Sequence, residues 1–306
     1  MKSYDLLRTL CAVPAPSGDE RRMKEFLLDH IVKAKSSWKH LPEVIFGEDF
    51  QDCIILVFGK PRTAVFAHMD SIGFTVRYDN ELVRIGAPHV QSGMKLVGAD
   101  SGGSVEGSIE VDDDRKITLL TTRTVDRGTN LTFKQDWRET EKHVQSCYLD
   151  NRLGVFVALE CCKTLENGVI VFSCWEEHGG GSVPFLAKYI YERFSIRQAL
   201  ISDVTWVTDG VPSGGGTVIS MRDSGLPRRS FVERIIEIAK TSGADFQLEV
   251  ESAGGSDGTE LQKQPYPINW CFIGPPEEHV HTPDEKVAKT DIEATIRLYE
   301  VLLERL

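Results

Sequence analysis

Several short apolar runs in this chain lead directly into a histidine or a carboxylate. Residues 63–67 are followed by His68-Met69-Asp70, and residues 169–174 are followed within a few positions by Glu176 and Glu177. Three more candidates also follow extended or apolar stretches: Asp150, Asp203 and His281. Buried parallel strands open onto one edge of a sheet, where residues distant in sequence converge. The pattern therefore predicts an α/β fold with one polar site at a sheet edge.

Composition narrows the class of protein. The chain has 306 residues, of which 41% are hydrophobic and 26% charged, as in a soluble globular protein with one large or two ordinary domains. A net charge of -11 without a Lys/Arg-rich run argues against a nucleic-acid partner. No apolar stretch has the length of a membrane helix, so we expect no membrane partner.

The start of the chain lacks the apolar region of a signal peptide. The chain has seven cysteines, an odd number, and they show no paired spacing. Most of them lie among apolar residues, which is typical of reduced core thiols. We therefore expect a cytoplasmic protein.

Hydrophobic periodicity predicts alternating helices and strands. The predicted helices are 21–33, 152–163, 182–191, 231–240 and 291–305, and the predicted strands are 52–58, 63–67, 169–174, 199–202, 246–250 and 268–273. Ser17 and Glu20 fit a capping box before the first of these helices. These segments indicate a mixed-sheet α/β catalytic domain.

Residues 74–143 have a different character. Short runs of alternating polarity are separated there by Gly-rich and Asp-rich clusters at 98–103 and 112–114. This texture is typical of a small all-β module. We expect an inserted β domain at 74–143, within a catalytic domain formed by 1–73 and 144–306.

The candidate residues match the needs of a pair of hydrolytic metal ions. Such a site needs a carboxylate that bridges the ions, further N or O ligands, and a carboxylate that takes a proton from water. His68 suits an imidazole ligand, and Asp70, on the same side of an extended chain, could hydrogen-bond its ring. Asp150 suits the bridge.

The remaining candidates would complete this site. One residue of the pair Glu176-Glu177 can bind an ion while the other faces the water, and Asp203 and His281 add further ligands. Each residue alone has an ordinary structural explanation, such as a buried histidine, a solvated acidic face or a helix N-cap. Several carboxylates at apolar strand ends, however, need a counter-charge that no Lys or Arg cluster supplies.

At these residues the chain resembles the M42 family of metallo-aminopeptidases, within the wider clan of co-catalytic zinc peptidases. The most specific match is the stretch 68–74, His-Met-Asp-Ser-Ile-Gly-Phe. The other matching stretches follow in family order: 14–20, 149–154, 176–179, 202–204, 255–258, 281–287 and 291–295. Together they span nearly the whole chain.

The resemblance implies residue roles and a cofactor. Two divalent ions are expected, zinc first, with cobalt or manganese as alternatives. The implied ligands are His68, Asp150 and Asp203 for one ion, and Asp150, Glu177 and His281 for the other. Glu176 would be the general base and acid, and Asp70 would support His68. Peptides are the implied substrates, cleaved after their N-terminal residue, and the β domain would assemble a homo-oligomer, either a dimer or a larger shell.

Two alternatives remain open from the sequence. A dipeptidase, carboxypeptidase or deacylase of the related clan would use the same metal ligands. A non-catalytic, metal-stabilised binding protein could keep the same fold. The segment after Asp203, with Thr205-Trp206 and the glycine run 214–216, departs from the family pattern, so the substrate class is not settled.

Overall fold

The computed structural model of the chain describes residues 3–306. Its α-helices are α1 Asp5–Ala12, α2 Arg21–Ala34, α3 Leu149–Cys162, α4 Val183–Phe194, α5 Arg229–Ala239, α6 Asp257–Gln262 and α7 Lys289–Arg305. Short 3-10 turns lie at Lys35–Ser37, Glu48–Phe50 and Tyr78–Asn80.

In the described part of the chain, β1 to β11 follow one another without an α-helix between them, and helices alternate with strands from α3 onward. They are β1 Glu43–Ile45, β2 Ile54–Phe58, β3 Ala64–His68, β4 Gly73–Val76, β5 Leu82–Ile85, β6 Lys95–Asp100, β7 Gly103–Val111, β8 Ile117–Leu120, β9 Asn130–Phe133, β10 Arg138–Glu139, β11 His143–Ser146, β12 Gly168–Ser173, β13 Gln198–Ser202, β14 Thr205–Trp206, β15 Thr217–Arg222, β16 Phe246–Val250, β17 Asn269–Gly274, β18 Pro276–Glu278 and β19 Glu285–Ala288. The predicted α/β class is confirmed.

The largest sheet has eight strands in the order β1-β2-β12-β3-β13-β17-β15-β16. Its four central strands, β12, β3, β13 and β17, run parallel. Strands β2, β3 and β12 are buried along their whole length, as expected for continuous apolar runs in a sheet covered by helices. Ser173 pairs with His68 in this register, so β12 and β3 end at the same sheet edge.

A second sheet is entirely antiparallel and lies between Gly73 and Phe133. Its strand order is β5-β4-β9-β6-β7-β8. Its edge strands β5 and β8 approach each other through a bridge between Glu81 and Thr118, which rolls the sheet toward a barrel. A separate apolar cluster fills this sheet, and Phe74, Leu96, Leu131 and Phe133 belong to it.

A third sheet, in the order β10-β11-β19-β18-β14, connects segments that are far apart in sequence. Strand β11 leads into α3, β14 follows β13 closely, and the β18–β19 loop contains residue 281. The small sheet therefore fixes three candidate-ligand segments relative to one another.

The predicted capping box at Ser17 and Glu20 is wrong. Helix α2 has Glu20 at its N-cap position, and no side chain caps it. Ser17 Oγ instead donates to Asp70 Oδ2 at 2.6 Å, and Glu20 Oε1 accepts from the amides of Gly18 and Trp175. Both side chains are used to join loops at the sheet edge, so neither is available to the helix.

The seven cysteines are free and buried, which agrees with the prediction of core thiols. Burial raises the pKa of several of these thiols, including that of Cys11. Among residues 3–306, no helix has both the length and the apolar character that a membrane span requires.

Candidate metal centre

The carboxyl ends of three parallel strands supply most of the candidate residues. His68 is the last residue of β3, and Asp203 directly follows β13. Glu176 and Glu177 lie in the turn after β12. The convergence follows from the parallel arrangement, since neighbouring strands end at one edge.

Asp150 enters the site at the beginning of α3. The backbone of Asp150 and Asn151 is not helical, and Asn151 caps the regular helix that follows, since its Oδ1 accepts from the Gly154 amide at 2.9 Å. Asn151 Nδ2 also donates to the Ser202 carbonyl at 2.8 Å. The N-cap role that the sequence left open for Asp150 is thus filled by its neighbour, and the Asp150 carboxylate faces the histidines.

The apolar run before His281 had indicated that this residue follows a strand of the main sheet. It lies instead in the β18–β19 loop. Its Nδ1 lies 3.2 Å from the Ala87 carbonyl oxygen. A proton on Nδ1 would donate to that carbonyl and leave Nε2 with a free lone pair. Nε2 lies 3.3 Å from Asp150 Oδ2 and 3.2 Å from Glu177 Oε2.

Two groups of potential ligands result, and they share Asp150. One contains His68, Asp150 and Asp203, the other Asp150, Glu177 and His281, and within each group the ligand atoms lie within 4.8 Å of one another. His68 Nε2 is 3.3 Å from Asp150 Oδ1 and 3.5 Å from Asp203 Oδ1. The two oxygens of Asp150 therefore face different histidines, which is the arrangement of a bridging carboxylate.

The donor set fits divalent cations. Imidazole nitrogens and carboxylate oxygens are the ligands that zinc and several other transition ions accept. Glu177 Oε1 is buried without a hydrogen-bond partner in residues 3–306, as expected of an atom placed to contact a cation. Two separate oxygen and nitrogen clusters around one shared carboxylate can hold two ions.

The histidines and carboxylates of the site shift one another's pKa values. Burial opposes charge on His281, but hydrogen bonds to Asp150 and Glu177 raise its pKa to about 12. The pKa of His68 is also raised well above its ordinary value by Asp203, Asp150 and Asp70, against the effect of burial. Burial, with the charge of Asp150, raises the pKa of Glu177 to about 7.

Metal affinity should consequently increase with pH. A cation must displace protons from His68 and His281, whose pKa values are raised by the neighbouring carboxylates, so binding releases protons and is favoured as the pH rises. We expect the apparent Kd for Zn²⁺ to be at least about tenfold lower at pH 8 than at pH 6. Calorimetric titration in buffers of different ionisation enthalpy measures the proton release directly. An affinity that did not change with pH would contradict this assignment of ligands.

Glu176 belongs to neither ligand group. Its Oε2 lies 3.9 Å from His68 Nε2, and its side chain is 18% exposed at the pocket. Burial, together with Asp203 and Glu177, raises the pKa of Glu176 well above its ordinary value. A buried carboxyl group with a raised pKa can accept a proton from a water molecule and donate it again.

Asp70 is fully buried, and it contacts other groups besides its predicted partner, His68. Its Oδ1 lies 3.3 Å from His68 Nδ1, although this contact does not meet the angular requirement of a hydrogen bond. The same carboxylate accepts the backbone amides of Glu176 and Glu177, each at 3.1 Å. Asp70 thus fixes the backbone of the glutamate pair as well as approaching the His68 ring.

Glu285 is a site residue that the sequence reasoning missed. It is fully buried, and its Oε1 accepts the His281 amide at 3.0 Å while Oε2 accepts the Asp150 amide at 3.2 Å. It is thus the counterpart of Asp70 for the other ligand group. It lies four residues after His281, within the family-matching stretch 281–287, and no apolar run precedes it.

The Glu285→Gln variant should weaken metal binding by about 10- to 100-fold, as is usual when support for a ligand is lost. A glutamine has one acceptor oxygen, so one of the two ligand backbones would lose its hydrogen bond. Competition with a chelator of known affinity measures the change. Glu278→Gln is the control, because Glu278 lies on the neighbouring strand and pairs with Lys286 at the surface. Equal affinities in the two variants would show that Glu285 does not position the ligands.

The ligand groups line one end of a pocket with a volume of about 250 Å³. Other parts of its wall come from β14, β16 and β17 and from the segments that follow β13, β15 and β16. These lining residues are Val204, Thr205, Trp206, Asp223, Glu249, Glu251, Ala253, Gly254, Gly255 and Phe272. A peptide end can therefore reach the cluster from one side.

Solved structures share this architecture over almost the whole chain. The aminopeptidase APDkam598 from the archaeon Desulfurococcus kamchatkensis superposes with a TM-score of 0.86 at 20% identity, covering 99% of this chain and 94% of that one. A TET aminopeptidase from a marine sediment archaeon of the Thaumarchaeota gives 0.86 at 20% identity, with 99% and 96% covered. The TET1 peptidase of Pyrococcus horikoshii gives 0.81 at 20% identity, with 98% of each chain covered. At these identities the similarity establishes the fold.

Sequence comparison gives the family. A protein of Acetivibrio thermocellus named "Putative aminopeptidase" is 27% identical over 331 residues, and the match covers 96% of each chain. The model of the M42 glutamyl aminopeptidase family matches residues 109–298, which is more than half of the sequence. This chain belongs to the M42 glutamyl aminopeptidase family.

Proposed function

We propose that the protein is a metal-dependent aminopeptidase that hydrolyses the first peptide bond of a peptide with a free N-terminus. The carrying observation is the Asp150 carboxylate, which faces His68 with one oxygen and His281 with the other. Glu176 lies beside this shared ligand without belonging to either group. Family membership supports the same reaction class, a peptide hydrolase.

We propose two divalent cations as the cofactor, with zinc as the first candidate and cobalt or manganese as alternatives. His68, Asp150 and Asp203 would hold one, and Asp150, Glu177 and His281 the other. When bound, the cations would lower the pKa of a water molecule and polarise the scissile carbonyl group.

The chain's own residues would move the protons. Glu176 would take a proton as the water oxygen bonds to the carbonyl carbon, and would give it to the amine when the C–N bond breaks. Its raised pKa suits a group that must both accept and donate a proton. Asp70 would keep Glu176 and Glu177 in place through their backbone amides.

Matched peptides test this function against its rivals. Unblocked peptides and their N-acetylated counterparts would be incubated with Zn²⁺, Co²⁺ or Mn²⁺, with a chelator as control. Release of the first residue from the unblocked peptides only, lost on chelation, is the expected result. Cleavage of blocked peptides from the other end would indicate a carboxypeptidase or deacylase. No cleavage with two cations bound would favour the non-catalytic alternative.

We also propose an organisation for the whole chain. Residues 74–143 would form an inserted β domain, and 1–73 with 144–306 the catalytic domain; the separate apolar cluster of the six-stranded sheet supports this division. The TET1 peptidase of Pyrococcus horikoshii is described as assembling into a tetrahedron or an octahedral shell, which favours a homo-oligomer here. Light scattering after size-exclusion chromatography would separate a dimer, a larger shell and a monomer. Free, buried cysteines favour a cytoplasmic location.

A further inference from the structure

Three carboxylates line the pocket without belonging to either ligand group. They are Asp223, Glu249 and Glu251. Asp223 is 7% exposed and Glu249 is 2% exposed, so both are largely removed from water. No lysine or arginine is found among the described residues that line this pocket. Buried carboxylates without a counter-charge are costly, which calls for a cation from outside the chain.

The proposed metal ions do not supply that charge. Two divalent cations carry four positive charges, which balance the four carboxylates nearest to them. Those carboxylates are Asp150, Glu176, Glu177 and Asp203. The metals therefore do not offset the three further carboxylates of the pocket, although the charge of Arg222, outside the pocket lining, acts on Asp223.

The chain itself satisfies these three groups only in part. Asp223 Oδ1 accepts the Gly225 amide at 2.5 Å, and Glu249 Oε1 accepts the Thr205 hydroxyl. The other oxygen of Asp223 accepts no side-chain or amide hydrogen bond from another residue within 3–306. The Arg222 guanidinium donates to the Asp223 backbone carbonyl at 3.1 Å instead of to its carboxylate. This oxygen of Asp223, in the pocket wall, is thus free to accept a hydrogen bond from a ligand.

Apolar side chains share the pocket with these carboxylates. Val204, Trp206 and Phe272 line it, and the Trp206 ring packs so closely on Gly254 that a Cβ there would lie 3.3 Å from the ring. Lysine and arginine side chains have a long apolar stem and a charged end. A pocket with both apolar walls and unpaired carboxylates is complementary to that shape, and an aromatic face favours a cation further.

We propose that this pocket selects substrates whose N-terminal residue is lysine or arginine, with Asp223 and Glu249 binding the side-chain cation. The proposal rests on the aminopeptidase function proposed above. It also predicts that an N-terminal glutamate is disfavoured, because its carboxylate would face carboxylates of the pocket.

Substrates that differ only in charge test this selectivity. Aminoacyl-coumarin amides of lysine and of norleucine, and of arginine and of citrulline, would be compared with the cation-loaded protein. We expect kcat/KM to be at least about tenfold higher for each charged member, and the glutamate amide to be the poorest substrate. Equal or faster hydrolysis of norleucine and citrulline amides would overturn the proposal.

Variants identify the residues responsible. Asp223→Asn and Glu249→Gln should lower the lysine-to-norleucine ratio of kcat/KM by several-fold or more, mainly through a higher KM for lysine. The control is Glu110→Gln, since Glu110 is an exposed carboxylate on β7 outside the pocket, and its ratio should match wild type. Unchanged ratios in both pocket variants, with wild-type metal content and melting temperature, would remove these two residues from the assignment.

The same experiment separates failure of this inference from failure of the proposed function. Hydrolysis of the neutral amides without preference for the charged ones would overturn the selectivity and leave the aminopeptidase function standing. No hydrolysis of any amide, charged or neutral, by protein with two cations bound would overturn the proposed function itself.

Discussion

The Glu176→Gln variant should bind cations as tightly as the wild type and hydrolyse peptides at least about 100-fold more slowly. Glutamine has the same shape as glutamate but cannot accept the proton of the attacking water. Glu176 is not in either ligand group, so neither ion should lose a ligand in this variant. Metal analysis of the dialysed protein and single-turnover assays measure the two properties separately.

The adjacent glutamate provides a matched control for this prediction. Glu177→Gln changes the same chemical group one position along the chain, but Glu177 Oε2 lies 3.2 Å from His281 Nε2 within a ligand group. We expect this variant to lose affinity for one cation, whereas Glu176→Gln keeps both. Substantial turnover by Glu176→Gln, or loss of a cation from it, would show that the roles of the two residues have been exchanged or misassigned.

The Asp150→Ala variant should lose both cations. Asp150 is the one residue shared by the two ligand groups, and its oxygens lie 3.3 Å from His68 Nε2 and 3.3 Å from His281 Nε2. Removing it takes a ligand from each ion and leaves the remaining charges unbalanced. We expect the metal content to fall from about two per chain to near zero, with loss of all activity.

Asp203→Ala is the comparison, because Asp203 belongs to the His68 group only. It should reduce the metal content to about one per chain, held by the intact His281 group. If Asp150→Ala kept one cation per chain, Asp150 would be an ordinary ligand, and the shared-site geometry would not describe the loaded protein. Circular dichroism of both variants must match metal-free wild type for the comparison to apply.

The helices and strands predicted from the sequence lie within about three residues of their observed ends, whereas α1 and α6 were not predicted. Strand 246–250 was predicted with its observed bounds, and α2 and α7 differ from prediction by one or two residues at an end. Apolar periodicity is a local property of the sequence, so it can be recognised without knowledge of the tertiary structure. The capping box failed for the opposite reason, since Ser17 is engaged by Asp70, a residue 53 positions away.

Roles that depend on backbone amides were not predictable from the sequence. Asp70 and Glu285 each accept two amides, from Glu176 and Glu177 and from Asp150 and His281 respectively. A carboxylate that binds backbone groups leaves no pattern in the residues it contacts. Glu285 was missed because it lies at the start of a short strand with no apolar run before it.

The sequence by itself determined the α/β class and the order of the candidate ligands, because strand periodicity and the residue that ends each strand are local features. The tertiary structure decided which oxygen faces which histidine. It also decided that Asn151 caps α3 and that Asp223 and Glu249 join the ligands in one pocket. Those relations depend on the strand order and on the packing of loops from segments that are far apart in the chain. No single stretch of residues shows which distant segments will lie close together.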